Sequence, residues 1–193
     1  LFRLAIFSGA RQGELLGLKW SDIDWEKNQI HIQRTYNNGG WYKPKSAKSN
    51  RKIDLGPAMI TELKKWNLAC PKCDLDLVFP NDAGGVIDDS SMLRRHFHPA
   101  LKKAGLPRIR FHDLRHTYAT LRIQAGHNIA DVSKQLGHHS IRITVDTYYH
   151  WIHGTNSSEV NELDLKNATK RNLSATSHEK PNKKEAAKAA NLL

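Results

Sequence analysis

The apolar positions of residues 1–19 follow a helical rhythm that is interrupted around Ser8-Gly9, and Leu15, Leu16 and Leu18 form an apolar face before Trp20. Ser21-Asp22 marks a break. From Gln29 to Tyr36 the pattern moves toward alternation, with Ile30, Ile32 and Tyr36 on a strand. Asn37-Asn38-Gly39-Gly40 predicts a hairpin turn. Trp41 to Lys43 and Arg51 to Leu55 are short strand candidates, separated by the polar turn Lys45–Asn50.

Beyond this the chain turns helical. Pro57 suits a helix start, and Met59, Leu63 and Trp66 recur at helical spacing until Cys70-Pro71. Asn81 to Gly85 is a loop. Ser90 or Ser91 caps a helix running toward Lys103, stopped by Gly105-Leu106-Pro107. His112 to Ala125 is helical and closed by Gly126. Asn128 caps Ile129–Leu136, and Gly137 ends that helix. Ser140 caps another that runs through Tyr148. Leu114, Leu121, Ile129, Val132 and Leu136 are expected in the core, and His139 on the surface. The predicted fold is α+β, mostly helical, with a small antiparallel sheet near Gln29–Leu55.

The periodicity fails beyond about Lys166, where Asn, Ser, Thr, Lys and Ala dominate. Residues 1–165 therefore read as one domain and 166–193 as a basic, mobile tail, with a short helix possible in 184–193. The opening residues, Leu-Phe-Arg-Leu-Ala-Ile-Phe, read as the middle of an apolar helix with no cap before it, which suggests an N-terminally truncated fragment.

Charge adds a partner to this picture. The chain carries 30 Lys plus Arg against 19 Asp plus Glu, a formal net charge of +11. The tail holds seven of the basic residues and two of the acidic ones, so the body is basic in its own right. A polyanion is implied, with nucleic acid favoured over an acidic membrane surface. No apolar run approaches the roughly 20 residues of a membrane span. Cys70 and Cys73 are the only cysteines, too few for a disulfide framework, and a reducing cytosol is the default.

Three segments carry candidate chemistry: Gly9-Ala-Arg11-Gln-Gly-Glu14-Leu-Leu-Gly-Leu, His112-Asp-Leu-Arg115-His116-Thr, and Leu136-Gly-His138-His139 followed by Thr147-Tyr148-Tyr149-His150. On a helix, His112 and Arg115 project together. A guanidinium beside an imidazole suits a phosphodiester: Arg grips two nonbridging oxygens and His donates or shuttles a proton. Arg11 follows a glycine break and His138 a helix stop, both places from which a side chain reaches a cleft. Such a set stabilises a pentacoordinate transition state but needs a nucleophile, and Tyr148 supplies one. A free phenol titrates near ~10, and a cationic neighbourhood should favour the phenolate. Attack would store the broken bond's energy as a tyrosyl phosphate, without ATP and with cationic side chains in place of a metal. Glu14 reads as a structural partner for a nearby cation. His116 reads as a packed polar residue before a helper at the phosphate.

Together and in this order, these motifs resemble the catalytic domain of the tyrosine recombinases, the phage-integrase family, over residues 1 to about 153. The resemblance implies site-specific cutting and rejoining of double-stranded DNA through a 3′-phosphotyrosine, for integration or excision of a mobile element. It assigns Arg11 and Arg115 as phosphate clamps, His112 and His138 as the two histidine positions, and Tyr148 as nucleophile, with Tyr149 second because only Tyr148 fits Tyr-x-His. A lysine on a β-hairpin loop would be the general acid, here Lys45, with Lys48 the alternative. No cofactor, membrane or small-molecule substrate is implied. A homo-tetramer on DNA is, with the segment after His153 packing on a neighbour, as are upstream DNA-binding domains and a prokaryotic cytoplasmic location.

Three rivals remain. A type IB topoisomerase uses similar chemistry. A zinc-dependent nuclease could employ His112 and His116 at i, i+4 with Cys70-x-x-Cys73, although Arg115 on the same face would repel a dication and Asp113 stands where a catalytic glutamate would be. A DNA-binding module with a silent Tyr148 is the third.

Overall fold

In a computed structural model of the chain, residues 1–44 and 49–151 are described. The expected interruption of the first helix is real. Helix α1 (Phe2–Ser8) stops at Gly9, which takes φ 61° and returns its N–H to the Ala5 carbonyl. A Cβ at Gly9 would lie 2.4 Å from the Tyr118 ring, so glycine is required there twice over. Helix α2 (Gln12–Leu16) follows at once. Its Glu14 side chain folds back to accept the Arg11 backbone N–H at 2.7 Å. The chain leaves helix at Leu16, ahead of the expected end, and makes a 3-10 turn over Trp20–Asp22.

The strand expected over Gln29–Tyr36 is two strands in two sheets. Strands β1 (Ile23–Asp24), β2 (Gln29–Ile32) and β5 (Arg51–Asp54) form an antiparallel sheet in the order β1-β2-β5, with Ile30 opposite Ile53 and Ile32 opposite Arg51. Strands β3 (Thr35–Asn37) and β4 (Gly40–Tyr42) form a separate hairpin. The break falls at Gln33-Arg34, whose side chains both bond the buried carboxylate of Asp22 and turn the chain out of the first sheet. The hairpin turn is as expected: Asn38 and Gly39 take φ 48° and 74°, the two left-handed positions of a type I′ turn.

Helix α3 (Pro57–Ala69) begins on its proline and buries Met59, Ile60 and Leu63 in the main core. The next helix is capped by Asp88, not by Ser90 or Ser91; the Asp88 carboxylate accepts the Ser91 N–H at 2.7 Å. It runs as α4 (Asp89–Met92), a π-turn over Leu93–Phe97, and α5 (His98–Lys103). Pro99 explains the wide turn. It has no N–H for the Arg95 carbonyl and its ring would strike that oxygen, so the ladder slips and His98 N–H bonds Leu93 instead.

Three helices complete the domain. They are α6 (Asp113–Gln124), α7 (Ile129–Leu136) and α8 (Ile141–Tyr148), followed by a 3-10 turn, Tyr149–Trp151. Asn128 and Ser140 cap α7 and α8 as expected, accepting N–H groups of Ala130 and Arg142. The main core lies between α1, α3, the sheet and α5. A smaller one joins Tyr118, Ala119, Ile123, Val132, Leu136 and Tyr148. Leu114, Val132 and Leu136 are buried and Ile129 is partly so. Leu121 is 51% exposed, contrary to expectation, because the buried stripe of α6 runs through Leu114, Arg115, Tyr118, Ala119 and Ile123 and leaves it at the edge. His139 is exposed. No described helix is long and apolar enough to cross a membrane. The tail, 166–193, and the helix expected in 184–193 lie outside the described residues.

Candidate active site

The fold brings the ends of four helices together. The break between α1 and α2 supplies Arg11, the N-cap and first turn of α6 supply His112, Arg115 and His116, the stop of α7 supplies His138, and the last residue of α8 is Tyr148.

Arg115 is 3% exposed and fixes this junction. One terminal nitrogen donates to the Gly9 carbonyl at 2.7 Å, and the other to the Leu136 carbonyl at 2.6 Å. Both acceptors sit at helix C-termini, where carbonyls lack intrahelical partners and the helix dipole is negative. Burial, then the neighbouring Arg11 charge, pushes Arg115 down to about 9, still protonated at neutral pH.

Arg11 is held less tightly. It pairs with Glu14 at 2.8 Å and reaches the Gly137 carbonyl at 3.4 Å, with part of its side chain open to solvent. Glu14 has the cationic partner expected of it, and a second. Arg51 sits in β5 with both terminal nitrogens 2.9 Å from the Glu14 carboxylate and its Nε 2.6 Å from the Gln135 carbonyl. Burial opposes ionisation of Glu14, but Arg51 and Arg11 outweigh it and hold the carboxyl below its ordinary value. Sequence reasoning missed Arg51. Its signal was there: it occupies an inward-facing position of a strand that alternates buried and exposed, in register with Ile53.

The histidines are tuned toward neutrality. His138 places Nδ1 2.8 Å from the Thr144 hydroxyl, which is fully buried. Its own burial, then Arg115, Arg11 and Arg51, push it down to about 4. His112 precedes α6, is exposed, and is lowered by desolvation and then by Arg115, His116 and Arg11. These mutual effects place Arg11, Arg115, His112 and His138 in one electrostatic neighbourhood.

Tyr148 is 4% exposed, and its hydroxyl lies 2.8 Å from His116 Nδ1. Its pKa is raised: burial outweighs the lowering by Arg115. The expectation that the cationic cluster favours the phenolate is therefore corrected, because the hydroxyl's desolvation is the larger effect. Tyr149, by contrast, is 72% exposed. His116, read first as a packed polar residue, is the hydrogen-bonding partner of the Tyr148 hydroxyl.

Lys45 and Lys48 lie outside the described residues. Pro44 and Ser49, on either side of that segment, line a cavity of about 330 Å³ together with Arg11 and Glu14. Among the described residues no group of three or more His, Cys, Asp or Glu side chains is arranged to hold a metal ion. Cys70 and Cys73 line a different cavity with Trp20 and Asp76, and His112 and His116 meet edge to face, 5.2 Å between ring centres.

The profile of the phage integrase family matches residues 1–153. The chain is 34% identical over 189 residues to a tyrosine recombinase XerC-like protein of Caldanaerobacter subterraneus subsp. tengcongensis, covering 85% of this chain and 48% of that protein. It is 26% identical over 174 residues to the ICEBs1 integrase of Bacillus subtilis, covering 84% and 47%. The chain thus spans about half the length of the curated relatives it matches. Among solved structures, the Tn1549 transposon integrase in complex with circular intermediate DNA superposes with a TM-score of 0.69 at 24% identity, over 85% of this chain and 58% of that one. XerA recombinase does so with a TM-score of 0.61 at 26% identity, over 85% and 53%. In sequence and in fold, then, this chain belongs to the phage integrase family, the tyrosine recombinases, and carries their catalytic-domain architecture.

Proposed function

We propose that this domain cuts and rejoins double-stranded DNA site-specifically through a covalent 3′-phosphotyrosine, in the integration or excision of a mobile element. The observation that carries the reading is the convergence of Arg11, His112, Arg115 and His138, drawn from three separate stretches of chain, beside the hydroxyl-bearing end of α8.

In this reading Arg11 and Arg115 hold the nonbridging oxygens of the scissile phosphate. Arg115 has spent two of its five N–H groups on carbonyls, which orients the rest. A bound phosphate dispels the mutual repulsion of the cluster and raises the affinity of His112 and His138 for protons, so that they act as hydrogen-bond donors to the developing charge. Tyr148 oxygen attacks phosphorus, the bond to the 5′ oxygen breaks, and Lys45 protonates the leaving group. Reversal by a 5′ hydroxyl of a partner strand completes the exchange. The reaction is metal- and ATP-independent, the working form is a homo-tetramer on DNA, and the site of action is the cytoplasm of a prokaryotic cell.

The test is a pool of nicked suicide duplexes of randomised sequence, incubated with the chain in EDTA. Protein-linked DNA is recovered under denaturing conditions and sequenced. Wild type is expected to yield an adduct at a recurrent sequence, and Tyr148→Phe none. No adduct from wild type, or one that survives in Tyr148→Phe, overturns the reading. Joining of strands between two duplexes, as opposed to a change in linking number alone, separates a recombinase from a topoisomerase.

A further inference from the structure

A buried tyrosine whose hydroxyl is harder to ionise than usual needs something to take its proton when it attacks. The cationic side chains around Tyr148 cannot: Arg11 and Arg115 are protonated and carry no acceptor. His138 has its Nδ1 engaged with Thr144. One imidazole nitrogen is in place. His116 Nδ1 lies 2.8 Å from the Tyr148 oxygen, with the two rings 5.8 Å apart and tilted.

The geometry points to His116 as the general base for Tyr148, an assignment that rests on the reading of Tyr148 as the attacking group. The role is within hydrogen-bond reach without any rearrangement of the chain. It needs the neutral ring with its hydrogen on Nε2, so that Nδ1 accepts the phenol O–H. The packing fixes the ring's position from two sides: His112 meets it edge to face one turn before on α6, and Tyr148 from α8 meets it on the other. His112, exposed at the start of α6, is left to serve the phosphate, so the two histidines divide the work.

The step balances as follows. As the Tyr148 oxygen–phosphorus bond forms, the phenol proton passes to His116 Nδ1 and gives an imidazolium. The phosphorus–O5′ bond breaks with its electron pair on O5′, which takes a proton from the general acid, Lys45 in the reading above. In religation the 5′ hydroxyl attacks and gives its proton back to the general acid, which had lost it in cleavage; the tyrosyl oxygen–phosphorus bond breaks, and His116 returns its proton to the phenolate. Base catalysis of this kind contributes on the order of 10²–10⁴-fold.

The experiment uses the 193-residue chain and a nicked duplex recovered from the randomised pool. Rates of adduct formation are compared for wild type, His116→Ala, His116→Asn and Tyr148→Phe. Asn keeps a hydrogen-bonding amide near the Nδ1 position but cannot take the proton. Both His116 variants are expected to slow by about 10²-fold or more, and added imidazole should restore His116→Ala in proportion to its concentration. A near wild-type rate in His116→Asn, or a slow His116→Ala indifferent to imidazole, overturns the role of His116 and leaves Tyr148 standing. An adduct in Tyr148→Phe overturns the underlying reading instead. Nitrogen-15 spectra of the histidines read the contact without DNA: His116 Nδ1 should report an accepted hydrogen bond that disappears in Tyr148→Phe, and an unchanged signal would count against the pair.

Discussion

Arg51 and Glu14, 37 residues apart in sequence, form a closed ion pair beside the candidate phosphate clamp Arg11, with both terminal nitrogens of Arg51 2.9 Å from the carboxylate oxygens. Both side chains are almost wholly buried. The same carboxylate carries Arg11, so the pair sets where a candidate phosphate clamp stands. Removing one member strands a buried charge, which costs about 3–5 kcal/mol, whereas replacing both with apolar side chains costs far less. Arg51→Met should therefore lower unfolding stability by about 3 kcal/mol or more, and the Arg51→Met, Glu14→Met double variant by less than that single. Urea unfolding measures both. A single variant as stable as the double would show that Arg11 alone compensates the Glu14 charge.

The pair also has a pH signature. Glu14 is held below its ordinary value in the folded state: burial opposes this, and Arg51 and Arg11 prevail. A depressed carboxyl contributes stability above its unfolded pKa, near ~4.3, and that contribution is lost as pH falls through the folded value. The acid limb of the stability curve should flatten in Glu14→Gln, with most of the change below about pH 4.5. Thermal unfolding between pH 3 and 7 gives the comparison, and parallel limbs would exclude Glu14 as the source.

Gly137 is the stop of α7 and touches the same pair from the other side. Its φ is +69°, and a Cβ there would lie 2.8 Å from Arg51 Cδ and 2.9 Å from its Nε. A side chain thus meets both a left-handed backbone penalty of about 1–2 kcal/mol and the guanidinium stem that anchors Glu14. Gly137→Ala should destabilise the domain by at least that amount. It should also weaken phosphate binding, because the Gly137 carbonyl receives Arg11. Gly126, which is left-handed as well but meets nothing within 4 Å, is the control: Gly126→Ala should show the backbone cost alone.

The sequence made several caps and breaks and the residues of the candidate cluster legible because each depends on short-range chemistry, whereas the cap of α4 fell to Asp88 and not to Ser90 or Ser91. Asn128 and Ser140 announce their helices, Asn38-Gly39 its turn, and Gly9 and Gly137 their stops. What it left hidden depends on long-range placement. The strand around Gln29–Tyr36 splits because Gln33 and Arg34 find Asp22, a partner no periodicity reveals. The π-turn before Pro99 and the exposure of Leu121 likewise follow from what packs, or does not pack, against them. In the candidate site the cationic residues were readable from motif spacing, whereas the protonation of Tyr148 was not. Charge predicts a phenolate, and only the depth of the side chain reveals that desolvation prevails.

His138 is half-buried and its pKa is pushed down to about 4, by desolvation first and then by Arg115, Arg11 and Arg51. The unfolded histidine, near ~6.5, binds a proton that the folded one refuses, so stability falls as pH drops from about 6.5 toward 4 and levels off below. Proton NMR of the chain should show His138 titrating near 4. Arg11→Met should raise that midpoint by removing a nearby cation. Thr144→Val should leave the fold intact in the main core but release the ring, and adduct formation should slow. A His138 midpoint unmoved by Arg11→Met would separate the two side chains that the proposed site requires to be neighbours.

Arg115 is where geometry, more than charge, decides. Its two terminal nitrogens bridge the Gly9 and Leu136 carbonyls, the ends of α1 and α7, at 2.7 and 2.6 Å. A lysine keeps the charge, but its single ammonium cannot span both carbonyls and still face a phosphate with a planar pair of donors. Arg115→Lys should therefore lose one carbonyl contact, leaving a buried oxygen unpaired at a cost of about 1–3 kcal/mol. It should also cut adduct formation nearly as severely as Arg115→Ala. Had the residue acted only as a source of positive field at Tyr148, lysine would restore most of the rate. Unfolding measurements and adduct rates on the two variants, taken side by side, distinguish these outcomes. A lysine variant that cleaves at close to the wild-type rate would assign Arg115 to electrostatics and free the α1–α7 junction from any part in catalysis.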